Sequence, residues 1–288
     1  MKHDSAGNVV AVYWDFENIH ASLFDLAHGA NSYQDPKTRF VVQDALVDIK
    51  AVMEFVATIG NVAINRAYAN WQFFSRYRDG LNEAGVDLIQ LYSRGRNMKN
   101  GADIRLALDV VEDINHYSHV THAVIVGSDS DYISVAQKVK QSGRIIIGVG
   151  VRESTNEFWE KCCNEFKYYQ TLLRKVGQTG DAAVVPAAGK SEDAERLLMS
   201  ALKRLISQRG ENKVPNSQLK SLMLRMDATF DEENFGFPTF KAFLAQFSDK
   251  IQFVDNNSGG HVGLTKVAFE KEFSTNPGAS IRKPPAGD

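Results

Sequence analysis

Val124-Ile-Val-Gly-Ser-Asp-Ser-Asp-Tyr132 begins as a short run of branched apolar residues, breaks at a glycine and ends in two aspartates ahead of a segment with helical periodicity. So short and so apolar a run reads as a strand buried on both faces, the kind that parallel sheets use. The same pattern recurs on either side. Candidate strands are 9–15, 62–68, 86–92, 123–127 and 145–149, and helices are expected over 42–59, 71–84, 103–115 and 132–141. Gly60, Gly85 and Gly143 fall where helix stops are expected. Strands alternating with helical crossovers predict an α/β fold, a parallel sheet sandwiched by helices.

In such a sheet, functional side chains gather beyond the carboxyl ends of the strands. Asp15 closes the first strand in Tyr13-Trp-Asp-Phe-Glu-Asn-Ile19, with Asn18 in the turn that follows. Asp129 and Asp131 follow the fourth strand, and Asp103 opens a helix in Lys99-Asn-Gly-Ala-Asp-Ile-Arg105. Taken singly, each aspartate is equally well read as a helix cap. Jointly, they point to one site. Converging carboxylates raise one another's pKa unless a cation lies between them. Hard oxygen ligands suit Mg²⁺ or Mn²⁺, which keep waters and bind substrate phosphate. The expected metal set is therefore Asp15, Asp103, Asp129 and Asp131. Asn18 joins the catalytic group by orienting Asp15 or a water, and the reaction class is phosphate-ester hydrolysis. Asp109 and Asp113 lie inside a helix and read as supporting residues at most. Glu17 reads either as a further ligand or as an outward-facing neighbour of Asn18.

A chain of 288 residues fits two domains. Hydrophobic residues make up 43% and charged residues 24%, which describes a globular protein rather than a disordered one. The net charge of -2 means that any nucleic-acid surface must be local. The two cysteines, Cys162 and Cys163, are adjacent, which suits free thiols in a reducing compartment. No signal-peptide or membrane-spanning run is apparent, so a cytoplasmic location is expected. The stretch 177–190 is rich in small residues and reads as a linker, separating a first domain over 1–176 from a second over 191–270. There a helix is expected from Ser191 to about Ile206, with Ser191 in a capping box, then helices over 216–226 and 239–247 and strands over 251–255 and 261–264. Three helices and a hairpin resemble a small winged-helix module. The tail, 271–288, is expected to be disordered.

Three segments are specific enough to carry a family resemblance: Asp15-Phe-Glu-Asn18, Lys99-Asn-Gly-Ala-Asp103 leading into Leu106-Ala-Leu-Asp109, and Val126-Gly-Ser-Asp-Ser-Asp-Tyr132. Together they resemble the NYN domain of the LabA-like, PIN-related nucleases. The resemblance implies a PIN-like fold and a metal-dependent ribonuclease site made by Asp15, Asn18, Asp103, Asp129 and Asp131. Where the family often has Gly-Asp-Gly-Asp-Phe, this chain has Ser-Asp-Ser-Asp-Tyr, and the acidic positions survive. The second domain resembles an OST-HTH (LOTUS) module, through Val214-Pro-Asn-Ser-Gln-Leu-Lys220, Asp231-Glu-Glu-Asn-Phe-Gly-Phe237 with Phe240 and Phe243, and Val262-Gly-Leu264. That implies RNA, single-stranded or structured, as the partner. PIN-like nucleases also pair as homodimers, which the resemblance extends to this chain.

Basic residues placed to meet phosphates are Lys203, Arg204, Lys213, Lys220 and Arg225, with Arg209 beside them, in the second domain. Arg94, Arg96 and Lys99 do the same in a loop before Asp103. Trp71, Phe73, Phe74 and Tyr77 are candidate stacking surfaces but fit a core as well. His116, His119 and His122 straddle a helix end, a loop and a strand start, which favours surface and capping roles over zinc. Gly148 and Gly150 lack the context of a dinucleotide site. The combined reading is an Mg²⁺/Mn²⁺-dependent ribonuclease with an RNA-binding module. The alternative is a non-catalytic RNA-binding adaptor on the same scaffold.

Overall fold

The computed structural model describes residues 7–92, 101–177, 188–254 and 260–273, and the side chains of these residues except over 174–191. The chain divides into two compact units, Met1–Thr179 and Gly180–Asp288.

The first unit runs β1 (Val9–Asp15), α1 (Phe16–His28), α2 (Pro36–Arg39), α3 (Ile49–Ile59), β2 (Asn61–Ala69), α4 (Arg78–Glu83), β3 (Asp87–Gln90), α5 (Gly101–His116) and β4 (His122–Val126). It continues through α6 (Ile133–Gln141), β5 (Ile145–Gly150), α7 (Glu157–Cys162), β6 (Glu165–Tyr168) and α8 (Tyr169–Gly177). The six strands lie in the order β3-β2-β1-β4-β5-β6, and every neighbouring pair is parallel. The apolar runs are explained by burial on both faces. In β1, Val10, Val12 and Trp14 face one core layer and Ala11 and Tyr13 the other; β4 divides Val124 and Val126 from Ala123 and Ile125 in the same way. The α/β class and parallel sheet are as the sequence predicts. Strand order reverses between β1 and β4, so helices leave those two strands to opposite sides and a crevice opens at their carboxyl ends.

Two helices are shorter than their apolar patterns predict. Over 42–59 only Ile49–Ile59 is helical, because Asp48 caps the helix by accepting from the Ala51 N–H at 2.9 Å. Over 71–84 the helix is confined to a 3₁₀ turn, Ser75–Tyr77, and α4. There Trp71 is committed elsewhere, its indole donating to the carbonyl of Ile89 in β3 at 3.1 Å. The edge strand β6 and the short α7 escaped the sequence reading. Only Phe166 of β6 is fully buried, so the strand lacks the apolar run that marks the others.

The second unit contains α9 (Ala188–Arg209), β7 (Val214–Pro215), α10 (Asn216–Met226), α11 (Phe240–Ala245), β8 (Ile251–Phe253), β9 (His261–Leu264) and α12 (Lys266–Phe273). Its strands form an antiparallel sheet ordered β7-β9-β8. Leu198, Leu202 and Ile206 of α9 pack with Leu219, Met223, Phe243, Val262 and Leu264. The buried Asn212 amide exchanges two hydrogen bonds with the Leu264 backbone, at 2.8 and 2.7 Å, and so takes the place of a strand neighbour. Ser191 lies within α9 rather than capping it, and α12 occupies Lys271–Phe273, the start of the expected tail. The rest of that tail lies outside the described residues, as does most of the linker.

Candidate active site

Asp15 ends β1 at the switch point and is 3% exposed. Its two oxygens do different work. Oδ1 caps α1 by accepting from the Asn18 N–H at 3.3 Å, while Oδ2 accepts a short hydrogen bond from the Tyr132 hydroxyl. That hydroxyl also lies 3.3 Å from Oδ1 of Asp103, on the first turn of α5. A phenol has one proton, so it cannot satisfy two ionised carboxylates fully. Burial and the charge of Asp103 push the Asp15 carboxyl well above the usual carboxylate range. Asp103 is raised too, first by burial and then by the charges of Asp129 and Asp131. The Tyr132 hydroxyl, buried among these acids, is held far above its ordinary value.

Asp129 follows β4 and caps the 3₁₀ turn Ser130–Tyr132, accepting from the Asp131 N–H and the Ser130 hydroxyl at 3.3 and 3.2 Å. Asp131 is exposed on that turn. Asn18 ties the two strand ends together, its Oδ1 accepting from the Ser128 N–H at 2.9 Å. Gly127 makes the close approach possible: a Cβ there would sit 2.9 Å from the Tyr132 ring and 3.4 Å from the Asp15 Cβ. The helix carrying Asp103 is braced on the sheet by two hydroxyls, Tyr68 donating to Asp109 at 2.8 Å and Tyr13 to Asp113 at 2.9 Å. Arg105 and Arg66 complete those pairs, so Asp109 and Asp113 hold α5 in place.

Asp15, Asn18, Asp103 and Asp129 line a cleft of about 150 Å³ together with Glu17 and Arg39. An adjoining depression of about 340 Å³ shares Asn18 and Asp129 and extends over Ser128, Ser130 and Asn156. Glu17 neither faces outward nor is free as a ligand: it lines the cleft and is engaged by Arg39, with Nε and Nη2 at 2.8 and 2.7 Å from the same carboxylate oxygen.

Among the described residues, no group of three or more His, Cys, Asp or Glu side chains is disposed to hold a metal ion. The four aspartates therefore do not form one closed cage, because Asp129 caps its turn and Asp131 faces solvent. What does converge is a pair, the buried Asp15 and the half-buried Asp103, with Asp129 on the same cleft. All the donors are hard oxygens, and two ionised carboxylates meeting at one hydroxyl are a site that a divalent cation relieves. This fits Mg²⁺ or Mn²⁺ binding through one or two carboxylates, with waters and substrate phosphate completing the shell.

Sequence reasoning missed Tyr132 and Arg39 as members of the site. The signal for Tyr132 was the family's Phe replaced by Tyr directly after Asp131. Another departure, Ser128, supplies a hydroxyl that accepts from the Val151 N–H at 3.2 Å and anchors the β5 end. Nothing in sequence alone marked Arg39, which reaches the cleft from a separate short helix.

Arg94, Arg96 and Lys99 lie outside the described residues. In the second unit Arg204 and Arg225 are exposed, whereas Lys203 pairs with Glu272 and Lys220 with Glu232; Lys213 is half-buried before β7. Phe74 and Tyr77 belong to the core, and Trp71 and Phe73 pack against it. His122 is buried beside Thr121, 2.8 Å from its hydroxyl, and burial lowers its pKa. Gly148 leaves room for Phe166, whose ring would lie 2.4 Å from any Cβ there. No helix among the described residues is long and apolar enough to cross a membrane.

A family model for the NYN domain matches residues 9–173, and one for the OST-HTH/LOTUS domain matches residues 196–262. Among solved structures, the chain is similar to a protein of unknown function from Vibrio parahaemolyticus, with 16% identity and a TM-score of 0.43, over 58% of this chain and 96% of that one. No curated protein matches it.

Proposed function

Because this chain belongs to the NYN domain family and carries an OST-HTH/LOTUS domain behind it, we propose that it is a metal-dependent ribonuclease that cleaves phosphodiester bonds internally. NYN domains belong to the PIN-like nuclease superfamily and OST-HTH/LOTUS domains bind RNA, so nuclease chemistry and an RNA partner are the coarse frame. The observation that carries the finer reading is a pair of carboxylates, the buried Asp15 and the half-buried Asp103, facing one hydroxyl on a cleft with Asp129 at the switch point of the sheet. Asp15 and Asp103 would hold Mg²⁺ or Mn²⁺, with Asp129 on the same cleft. Such a cation, when bound, neutralises charge developing on the phosphodiester and acidifies water. The chain's own groups do the rest. Tyr132 keeps the two carboxyls aimed at a common point, and Asn18 fixes the spacing between the β1 and β4 ends. Asp131, exposed on the turn after Asp129, adds negative field toward Asp103 and is the outermost member of the catalytic set. Arg204 and Arg225 are the exposed cations through which the second unit would meet the RNA backbone.

The test compares turnover of a labelled single-stranded RNA and of a free nucleotide with Mn²⁺. Internal cleavage of the RNA, with the nucleotide untouched, supports the reading. Hydrolysis of the nucleotide alone would make the protein a phosphatase of small molecules. RNA binding without turnover, unchanged in Asp15→Asn, would make it an adaptor.

A further inference from the structure

The segment joining α1 to α3 presents three consecutive apolar residues to solvent: Phe40 is 56% exposed, Val41 51% and Val42 48%. Their outward position is built in. Gln43, buried next to them, donates from its amide to the Thr38 and Val41 carbonyls at 2.8 and 2.7 Å, and its own N–H donates to the Phe73 carbonyl at 2.7 Å. Its Oε1 meets the buried His20 ring at 3.1 Å. The backbone on both sides of Phe40 is thus pinned to the core while the ring is turned away from it. The ring lies tilted against Phe73, with centroids 5.9 Å apart.

Arg39, the residue before, lines the carboxylate cleft, and its guanidinium carbon lies 6.0 Å from the Phe40 ring centroid. A cation on the cleft that Asp15, Asp103 and Asp129 also line, and an exposed aromatic face adjacent to it, match the two halves of a nucleotide, a phosphate and a base. We propose that Arg39 and Phe40 form a nucleotide subsite for single-stranded RNA. The guanidinium exchanges Glu17 for a backbone phosphate next to the scissile one, and the neighbouring base stacks on Phe40. A paired base cannot offer its face, so the subsite selects unpaired RNA. The identity of the polymer rests on the ribonuclease reading above; the geometry of the subsite does not.

Photo-cross-linking tests this with the full-length protein and a 5-iodouridine-bearing single-stranded RNA in Ca²⁺, followed by mapping of adducts by mass spectrometry. The expected result is an adduct on Phe40. Its yield falls about tenfold in Arg39→Ala, in line with loss of one charged phosphate contact, and rises in Glu17→Gln, which frees the guanidinium. A Glu17–Arg39 pair that served only to brace the fold would give the opposite sign in Glu17→Gln. Phe40→Ala should weaken binding of single-stranded RNA but not of a duplex, and Phe40→Trp should restore it. Adducts confined to other residues, or Phe40→Ala binding both RNAs as the wild type does, would overturn the proposal. Since turnover is not the readout, a Phe40 adduct on a protein that fails to cleave would sink the ribonuclease reading and leave the subsite standing. Cleavage without the adduct would do the reverse.

Discussion

Replacing Asp103 with Asn should stabilise the metal-free protein at neutral pH while impairing the site. Asp15 and Asp103 both contact the single Tyr132 hydroxyl, so their charges stand close together with one proton to share. Two like charges within a few ångströms of each other at an effective dielectric of ~20 repel by about 3 kcal/mol. Asp103 is only partly buried, and water on its open side screens this to about 1–2 kcal/mol. An asparagine removes the charge and offers an N–H to the remaining carboxylate. For a unit of this size the gain corresponds to a melting temperature about 2–8 °C higher. The sign with pH follows from both carboxyls being raised in the folded state. Their stabilising protonated form is fully present below about pH 4, the unfolded value, and is lost as pH rises through the elevated folded values. Wild type and variant should therefore melt together at pH 4 and separate toward pH 7. Thermal unfolding in EDTA from pH 4 to 8 reads this directly. Mn²⁺ should then raise the wild-type melting temperature more than that of the variant. A variant that melts lower at pH 7, or an offset that does not change with pH, would refute the idea that the two carboxylates oppose each other.

Three other outcomes follow from the same geometry. Gly127→Ala drives a methyl into the Tyr132 ring and should cost about 1–3 kcal/mol of stability by overpacking, with RNA cleavage falling because the hydroxyl leaves Asp15; equal melting and turnover would show that the approach is not tight. Tyr132→Phe restores the residue usual in the family and removes the bond that lowers the Asp15 pKa, so the acid limb of the kcat/KM profile should move up by about one pH unit, the equivalent of a charged hydrogen bond of ~1.5 kcal/mol. Asn212→Ala strands two backbone groups of Leu264 and should destabilise the second unit by about 1–3 kcal/mol, seen as a lower melting transition and weaker RNA binding with the cleft intact.

The sheet was legible because parallel strands buried on both faces leave continuous apolar runs, as in β1 and β4. The aspartates at their ends were legible for a related reason: the end of a strand is where backbone geometry gives way to chemistry. Helix limits were less so, since the apolar periodicity of 42–48 belongs to an anchored coil whose Gln43 bonds no pattern announces. The sequence ranks Asp15, Asp103 and Asp129 first as ligands, with Asp131 beside them. In the structure Asp15 and Asp103 converge, Asp129 serves as both cap and cleft wall, and Asp131 stands outside, because each acid answers to its local turn before it answers to a shared centre. Arg39 was invisible because it comes from a segment remote in sequence, and only the fold brings it to Glu17.

Cleavage of an end-labelled single-stranded RNA under multiple-turnover conditions, by wild type, Asp15→Asn and Asp129→Asn with Mn²⁺ or EDTA, tests the central claim most directly. The account predicts internal cuts by the wild type with Mn²⁺, none with EDTA, and a loss of at least about 100-fold in both variants, since about 2.7 kcal/mol of transition-state stabilisation is a modest share for a metal-centred site. Cleavage that persists in EDTA, or survives undiminished in both variants, would contradict it.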